Sequence, residues 1–116
     1  MNEFKQVFNP SQQFLILQAY IDSKLTEKEL LNFTLLETTD EIPVVFYSAG
    51  VMIIHPAIDL DQFTHDFISK ETVTIQRTEN ELLLVLPKQK LHFRFEEIKE
   101  AEQVEKDLVY LYSNNE

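Results

Sequence analysis

Apolar residues Phe14, Leu17, Ile21 and Leu25 recur at three- and four-residue intervals. This spacing predicts a helix over 11–24, and Leu15 and Ile16 widen its stripe enough to predict a well-buried one. Asn9-Pro10 supplies its start, with Asn as N-cap and Pro at the first helical position. A second start follows at once. Thr26 and Glu29 have the spacing of a capping box, and Leu25 and Leu30 that of a hydrophobic staple, predicting a helix over 27–37. The half of it from Asn32 to Thr38 also has strand character.

The period then changes. The run 42–54 reads as a β-hairpin, with Val44 to Tyr47 and Val51 to Ile54 flanking Ser48-Ala49-Gly50. Gly50 is the position where a positive φ is expected. Asp59 and Gln62 repeat the capping-box spacing, with Ile58 and Phe63 as staple. They predict a short helix to about residue 69 that buries Leu60, Phe63 and Phe67. Three strands follow. Val73 and Ile75 alternate with polar neighbours over 72–77. Leu82 to Leu86 is apolar on both faces, as a strand covered on two sides would be. Leu91, Phe93 and Phe95 alternate with His92 and Arg94. The 97–112 segment closes the chain as a helix, with Ile98, Ala101, Val104, Leu108, Leu111 and Tyr112 on one arc.

The expected architecture is therefore one α+β domain over 1–116, with loosely ordered ends at 1–9 and 113–116. Its order is α-α-ββ-α-βββ-α, a mainly antiparallel five-stranded sheet with helices packed on it. The segment α-ββ-α-βββ-α resembles the element order of roadblock/longin-type, profilin-like domains. That resemblance is one of order, with no residue motif behind it. It implies a single five-stranded sheet between one helix and the two terminal helices.

Composition narrows the function. The chain has no Cys, which excludes a disulfide framework, a thiolate metal site and a cysteine nucleophile. It has one Gly, too few for a glycine-rich phosphate cradle. The N-terminal stretch lacks the apolar core of a signal peptide, and no apolar run is long enough for a membrane helix. These features lead to the expectation of a cytoplasmic protein with no cofactor and no membrane partner.

The formal net charge is −10, and it is unevenly spread. Residues 96–116 hold seven acids and two bases, whereas 71–95 hold four bases and three acids. Such a field repels nucleic-acid phosphates, so no nucleic-acid partner is expected. Lys90, His92 and Arg94 project from one face of one strand as a basic strip. Glu96, Glu100 and Asp107 lie on the polar face of the last helix, and Tyr110 points away from its apolar arc. Glu105 falls inside that arc: either it leans from the stripe's edge to water, or the helix edge is an interface where it meets a cation, Arg94 or Arg77 of a second copy. With Tyr112, these nine residues form the candidate interaction surface.

One cluster could carry chemistry. His55, Asp59, Asp61, His65 and Asp66 are close in sequence, and on a helix Asp61 and His65 would share a face. Capping, first-turn charge and dipole effects explain the same residues without a metal. No catalytic, cofactor or metal-binding residue is assigned. The expected function is a non-enzymatic protein–protein interaction module, an adaptor or homodimeric accessory protein. The alternatives are an acidic inhibitor of the immunity or phage-antagonist kind that covers a basic target surface, and a metal-dependent enzyme built on the 55–66 cluster.

Overall fold

The computed structural model describes residues 7–113. Its elements are α1 (Pro10–Lys24), α2 (Glu27–Leu30), β1 (Thr34–Glu37), β2 (Pro43–Tyr47), β3 (Gly50–His55), β4 (Thr64–Ser69), β5 (Thr74–Thr78), β6 (Glu81–Val85), β7 (Lys90–Arg94) and α3 (Ile98–Ser113). Single 3-10 turns at Leu60–Gln62 and Lys70–Thr72 flank β4. The strands form two antiparallel meanders, a four-stranded sheet β1-β2-β3-β4 and a three-stranded sheet β5-β6-β7. The chain is thus a small α+β domain, but not with one five-stranded sheet. With no helix between β3 and β5, the profilin-like order is not realised.

The runs Pro43–Tyr47 and Gly50–His55 are apolar almost throughout because both faces of the β2–β3 hairpin are covered. Val44, Phe46, Val51 and Ile53 point to one side, where they pack with Leu82, Leu84, Leu91 and Phe93 of the second sheet and Leu108 and Leu111 of α3. Val45, Met52 and Ile54 point to the other, against Leu17, Tyr20 and Ile21 of α1. Full burial of each such side chain contributes about 1.5–3 kcal/mol. The molecule is layered accordingly: helix, four-stranded sheet, then three-stranded sheet with α3.

Asn9 and Thr26 both cap their helices, each closing a capping box. Asn9 Oδ1 accepts from the Gln12 amide (2.9 Å) and Gln12 Oε1 from the Asn9 amide (3.0 Å). Residues 8 and 9 are therefore part of the fold, while 1–6 and 114–116 lie outside the described residues. The Thr26–Glu29 box starts only one turn, after which the chain extends into β1. There the 34–37 segment pairs with 43–46. The strand reading of this segment prevails because the β2 edge supplies a ladder for its backbone groups. Nor is α1 buried all round. Phe14 and Leu15 remain 55% and 66% exposed, since the sheet covers only one side of the helix.

The expected helix after Asp59 is the larger miss. Asp59 Oδ1 accepts from the Asp61 amide (3.2 Å), but the turn stops at Gln62. After Phe63, residues 64–69 pair with β3 along its whole length. Phe63 and Phe67 mimic a helical i,i+4 pair. The β-branched and aromatic residues of Thr64–Ser69 favour the ladder, and the open side of β3 needs one.

Gly50 sits where three layers meet. Its φ is +152°, and a Cβ built there would run into the Ile68 carbonyl oxygen and approach the Lys70 amide nitrogen to 2.9 Å. Its own carbonyl accepts the Tyr112 hydroxyl of α3 at 2.8 Å. Replacement Gly50→Ala is expected to cost about 2 kcal/mol or more in urea unfolding, from backbone strain and collision together. A loss under about 0.5 kcal/mol would show that the β3–β4 junction relaxes freely.

Candidate functional site

The pleat of the four-stranded sheet separates the residues of the 55–66 cluster. Along β3 and β4, His55, Asp66 and Thr64 lie on the face toward the second sheet, whereas His65 lies on the face toward α1. His55 Nε2 and Asp66 Oδ2 are 2.8 Å apart at the exposed rim. His65 Nδ1 is 2.6 Å from the Tyr20 hydroxyl on the opposite face. Among the described residues, no group of three or more His, Cys, Asp or Glu is placed to hold a metal ion. Asp61 and His65 do not share a helix face, because there is no helix.

The His65 contact joins α1 to β4. Tyr20 stacks at an angle on Phe63 (5.2 Å between ring centres), meets the His65 ring edge-on (5.7 Å), and carries Lys24 Nζ 5.4 Å over its face. Partial burial lowers the His65 pKa from its ordinary value of 6.5; Lys24 and His55 lower it further, and Asp66 opposes them. With its proton on Nε2, the neutral imidazole accepts a hydrogen bond from the Tyr20 hydroxyl at Nδ1. Burial in turn raises the pKa of the Tyr20 phenol.

Glu105 has its cation within the same chain. Arg77 Nε donates to Glu105 Oε1 (2.8 Å), Arg77 Nη2 lies 3.8 Å from Glu102 Oε2, and Arg77 Nη1 donates to the Glu79 carbonyl (3.0 Å). Glu105 thus neither leans free to water nor needs a second copy: Arg77 of the same chain pairs with it, joining β5 to α3. Arg94 is held across the ladder by Glu81 (3.1 Å), its register partner. Tyr112 also turns inward. It packs against the core between the sheets, its hydroxyl donates to Gly50, and burial pushes its pKa well above the phenol range.

The remaining candidates stay at the surface. Glu100 Oε1 accepts from the amides of Glu96 (3.1 Å) and Glu97 (3.2 Å), so it closes the N-terminal turn of α3. Asp107 accepts from Gln103 Nε2 one turn away (2.9 Å). Tyr110 is 63% exposed. Glu96, Lys90 and His92 are exposed, and the His92 carbonyl accepts the Thr39 amide from the β1–β2 loop (2.9 Å).

No protein-family model, curated protein or solved structure matches this chain.

The structure adds two features that the sequence pattern did not indicate. The first is the outer face of the three-stranded sheet. Leu82 and Leu84 point into the core, so Leu83 and Val85 point out, beside His92 and Lys90 on β7 and Gln76 and Thr74 on β5. The helix α3 lies on the inner side, so β6 is covered on one face only and not on both. The second is a cleft of about 510 Å³ beside β4, with Asp66, Ile68 and Phe67 on one side and Leu86, Pro87 and Lys88 on the other. Half-burial of Leu83 and Val85 was hidden by the continuous apolar run of β6. The cleft depends on the strand that the Phe63/Phe67 spacing disguised. Among the described residues, no helix is long and apolar enough to cross a membrane.

Two outcomes follow from these contacts. The unfolded chain takes up a proton at His65 near pH 6.5, which the folded chain resists. The His65 contribution to stability is therefore full above about 6.5 and is lost as the pH falls toward the lowered folded value. Urea midpoints should drop from pH 7.5 to pH 5, and His65→Gln should remove part of that slope. An unchanged slope would refute the assignment. A double-mutant cycle on Arg77→Ala and Glu105→Gln should give a coupling of about 0.5–1 kcal/mol, the range for a partly exposed pair. A coupling of zero would make the contact geometric only.

Proposed function

We propose that this protein is a non-enzymatic protein–protein interaction module whose contact surface combines the outer face of the three-stranded sheet with the acidic side of α3. The observation that carries this reading is the half-buried pair Leu83 and Val85 on the outer face of β6, bordered by Lys90, His92 and Arg94. Among the described residues no element packs on that face. An apolar centre inside a charged rim is how a contact surface is built: the centre supplies burial, the rim orientation and register.

The position of the other titratable groups supports the same reading. Glu105, Arg77, Tyr112 and His65 are engaged in contacts that hold layers together, and the histidines and aspartates of 55–66 are divided between two faces. Arg94 is partly neutralised by Glu81, which leaves Lys90, with His92 beside it, at the centre of the strip. Opposite in sign, Asp107 on the exposed side of α3 and Glu96 just before the helix lie at the surface, with the exposed, neutral Tyr110. Adaptor or accessory protein is the description that fits.

A second reading rests on the acidic side of α3 alone. In it the protein is an inhibitor that covers a basic surface of its target, with Glu96 and Asp107 steering the encounter. The two readings differ in which surface matters. With the protein as bait in extract of its own cells, capture of a specific partner should fall with rising salt. It should be lost in Leu83→Lys and weakened in Lys90→Glu, with unfolding curves unchanged. Capture that survives both substitutions but fails in Glu96→Lys or Asp107→Lys would support the inhibitor. Capture indifferent to all four would refute the proposed surface.

A further inference from the structure

We propose that the free edge of β4 is a strand-addition site, and that its occupant is β4 of a second copy of this chain. The inference uses a different surface from the one above and stands independently of it.

The direction of the β4 backbone follows from the neighbouring hairpin. Tyr47 and Gly50 flank the two-residue loop Ser48-Ala49, so they form a closely spaced hydrogen-bonded pair. Alternation then directs the backbone groups of Gly50, Met52 and Ile54 to β2, and those of Val51, Ile53 and His55 to β4. Their partners Ile68, Asp66 and Thr64 point back. The backbone groups of His65 and Phe67, with the Ser69 amide, consequently point away from the sheet. The Ser69 carbonyl already accepts the Thr72 hydroxyl (2.9 Å). Among the described residues, no strand pairs with that side of β4.

Unpaired edges invite association, and proteins that remain monomeric blunt them with Lys, Pro, bulges or short strands. Two of the other edges here are treated that way. The edge strand β1 has four residues, and β7 carries Lys90 and Arg94 and offers its His92 carbonyl to the Thr39 amide. The β4 strand is six residues long and contains no Lys, Pro or Gly. Its one charge, Asp66, is held by His55. Phe67, in mid-strand, is 48% exposed and rests on one side against Tyr47 (6.2 Å between ring centres).

The edge is also self-complementary, as a two-fold contact must be. In an antiparallel pair centred on Phe67, the two Phe67 residues face each other, His65 faces Ser69, and Asp66 faces Ile68. No like charges are directly opposed. The cleft beside the edge brings one acid, Asp66, and one base, Lys88, so each copy offers a carboxylate and an ammonium to the other. This patch is neutral on a molecule of formal charge −10. Pairing would convert two four-stranded sheets into one continuous eight-stranded sheet.

Light scattering and sedimentation across protein concentration test the proposal. The full chain should dimerise, and the dimer should tighten as salt screens the like net charges, the opposite of the salt response expected for capture of a charged partner. Phe67→Lys should weaken dimerisation at least about tenfold, while Leu83→Lys leaves it unchanged. Since the chain has no native thiol, Phe67→Cys should give a covalent dimer with a short bis-maleimide, and a cysteine at the exposed Leu31 should not. This second variant keeps the test valid should the lysine substitution unfold the protein. A chain that is monomeric at every concentration and salt, even if it captures a foreign strand at β4, overturns the proposal. So does a dimer insensitive to Phe67→Lys and not cross-linked through residue 67.

Discussion

Burial of the β2–β3 hairpin on both faces is the constraint on which everything else depends. A strand pair in that position has to be apolar on every residue, and it has to be covered twice. Covering it once takes α1, which lends Leu17, Tyr20 and Ile21. Covering it again takes a second sheet and α3, whose Leu82, Leu84, Leu91, Phe93, Leu108 and Leu111 pack on Val44, Phe46, Val51 and Ile53. Gly50 lies at the turn of that hairpin and touches β4 and α3 through its backbone. The one glycine is therefore placed where a side chain has no room.

The same layering decides which charged groups remain exposed. Where α3 crosses the three-stranded sheet, a cation on β5 meets carboxylates on the helix. The Arg77–Glu105 contact locks two elements that pack mainly through Leu108 and Leu111. Such a partly exposed pair adds little free energy and contributes mainly orientation. What remains outside is a sheet face with an apolar centre, a helix side rich in carboxylates, and a bare strand edge. These are three different physical invitations: burial, long-range attraction and backbone pairing. They lie on different elements, so each can be altered without removing the others.

Much of this was legible along the chain. The first helix, the β2–β3 hairpin, the last three strands and the last helix follow from periodicity. Asn9 and Thr26 cap as their positions require, whereas the Asp59–Gln62 spacing starts only a 3-10 turn. The segment after Asp59 was misread for a definite reason. Phe63 and Phe67 are four apart, which suits a helix, but they are also an even number apart, which suits one face of a strand. Periodicity cannot separate these cases over six residues. The need of β3 for a second neighbour separates them, and that need exists only after the hairpin has folded. The candidate surface was legible to a similar degree. Lys90, His92 and Arg94 do share an exposed face, while Glu105 and Tyr112 turn inward to partners 28 and 62 residues away in sequence.

By itself, the sequence determined the α+β class, the closing meander and helix, the uneven charge and the absence of thiol and glycine-rich chemistry. Those properties depend on residue type and short-range spacing, which the chain carries locally. The tertiary structure alone decided the division into two sheets, the separation of His55 from His65, the partner of Glu105 and the open edge of β4. Each depends on which side of a pleat or helix a residue faces once distant segments have packed. That is set by burial and backbone pairing between elements, not by neighbours along the chain.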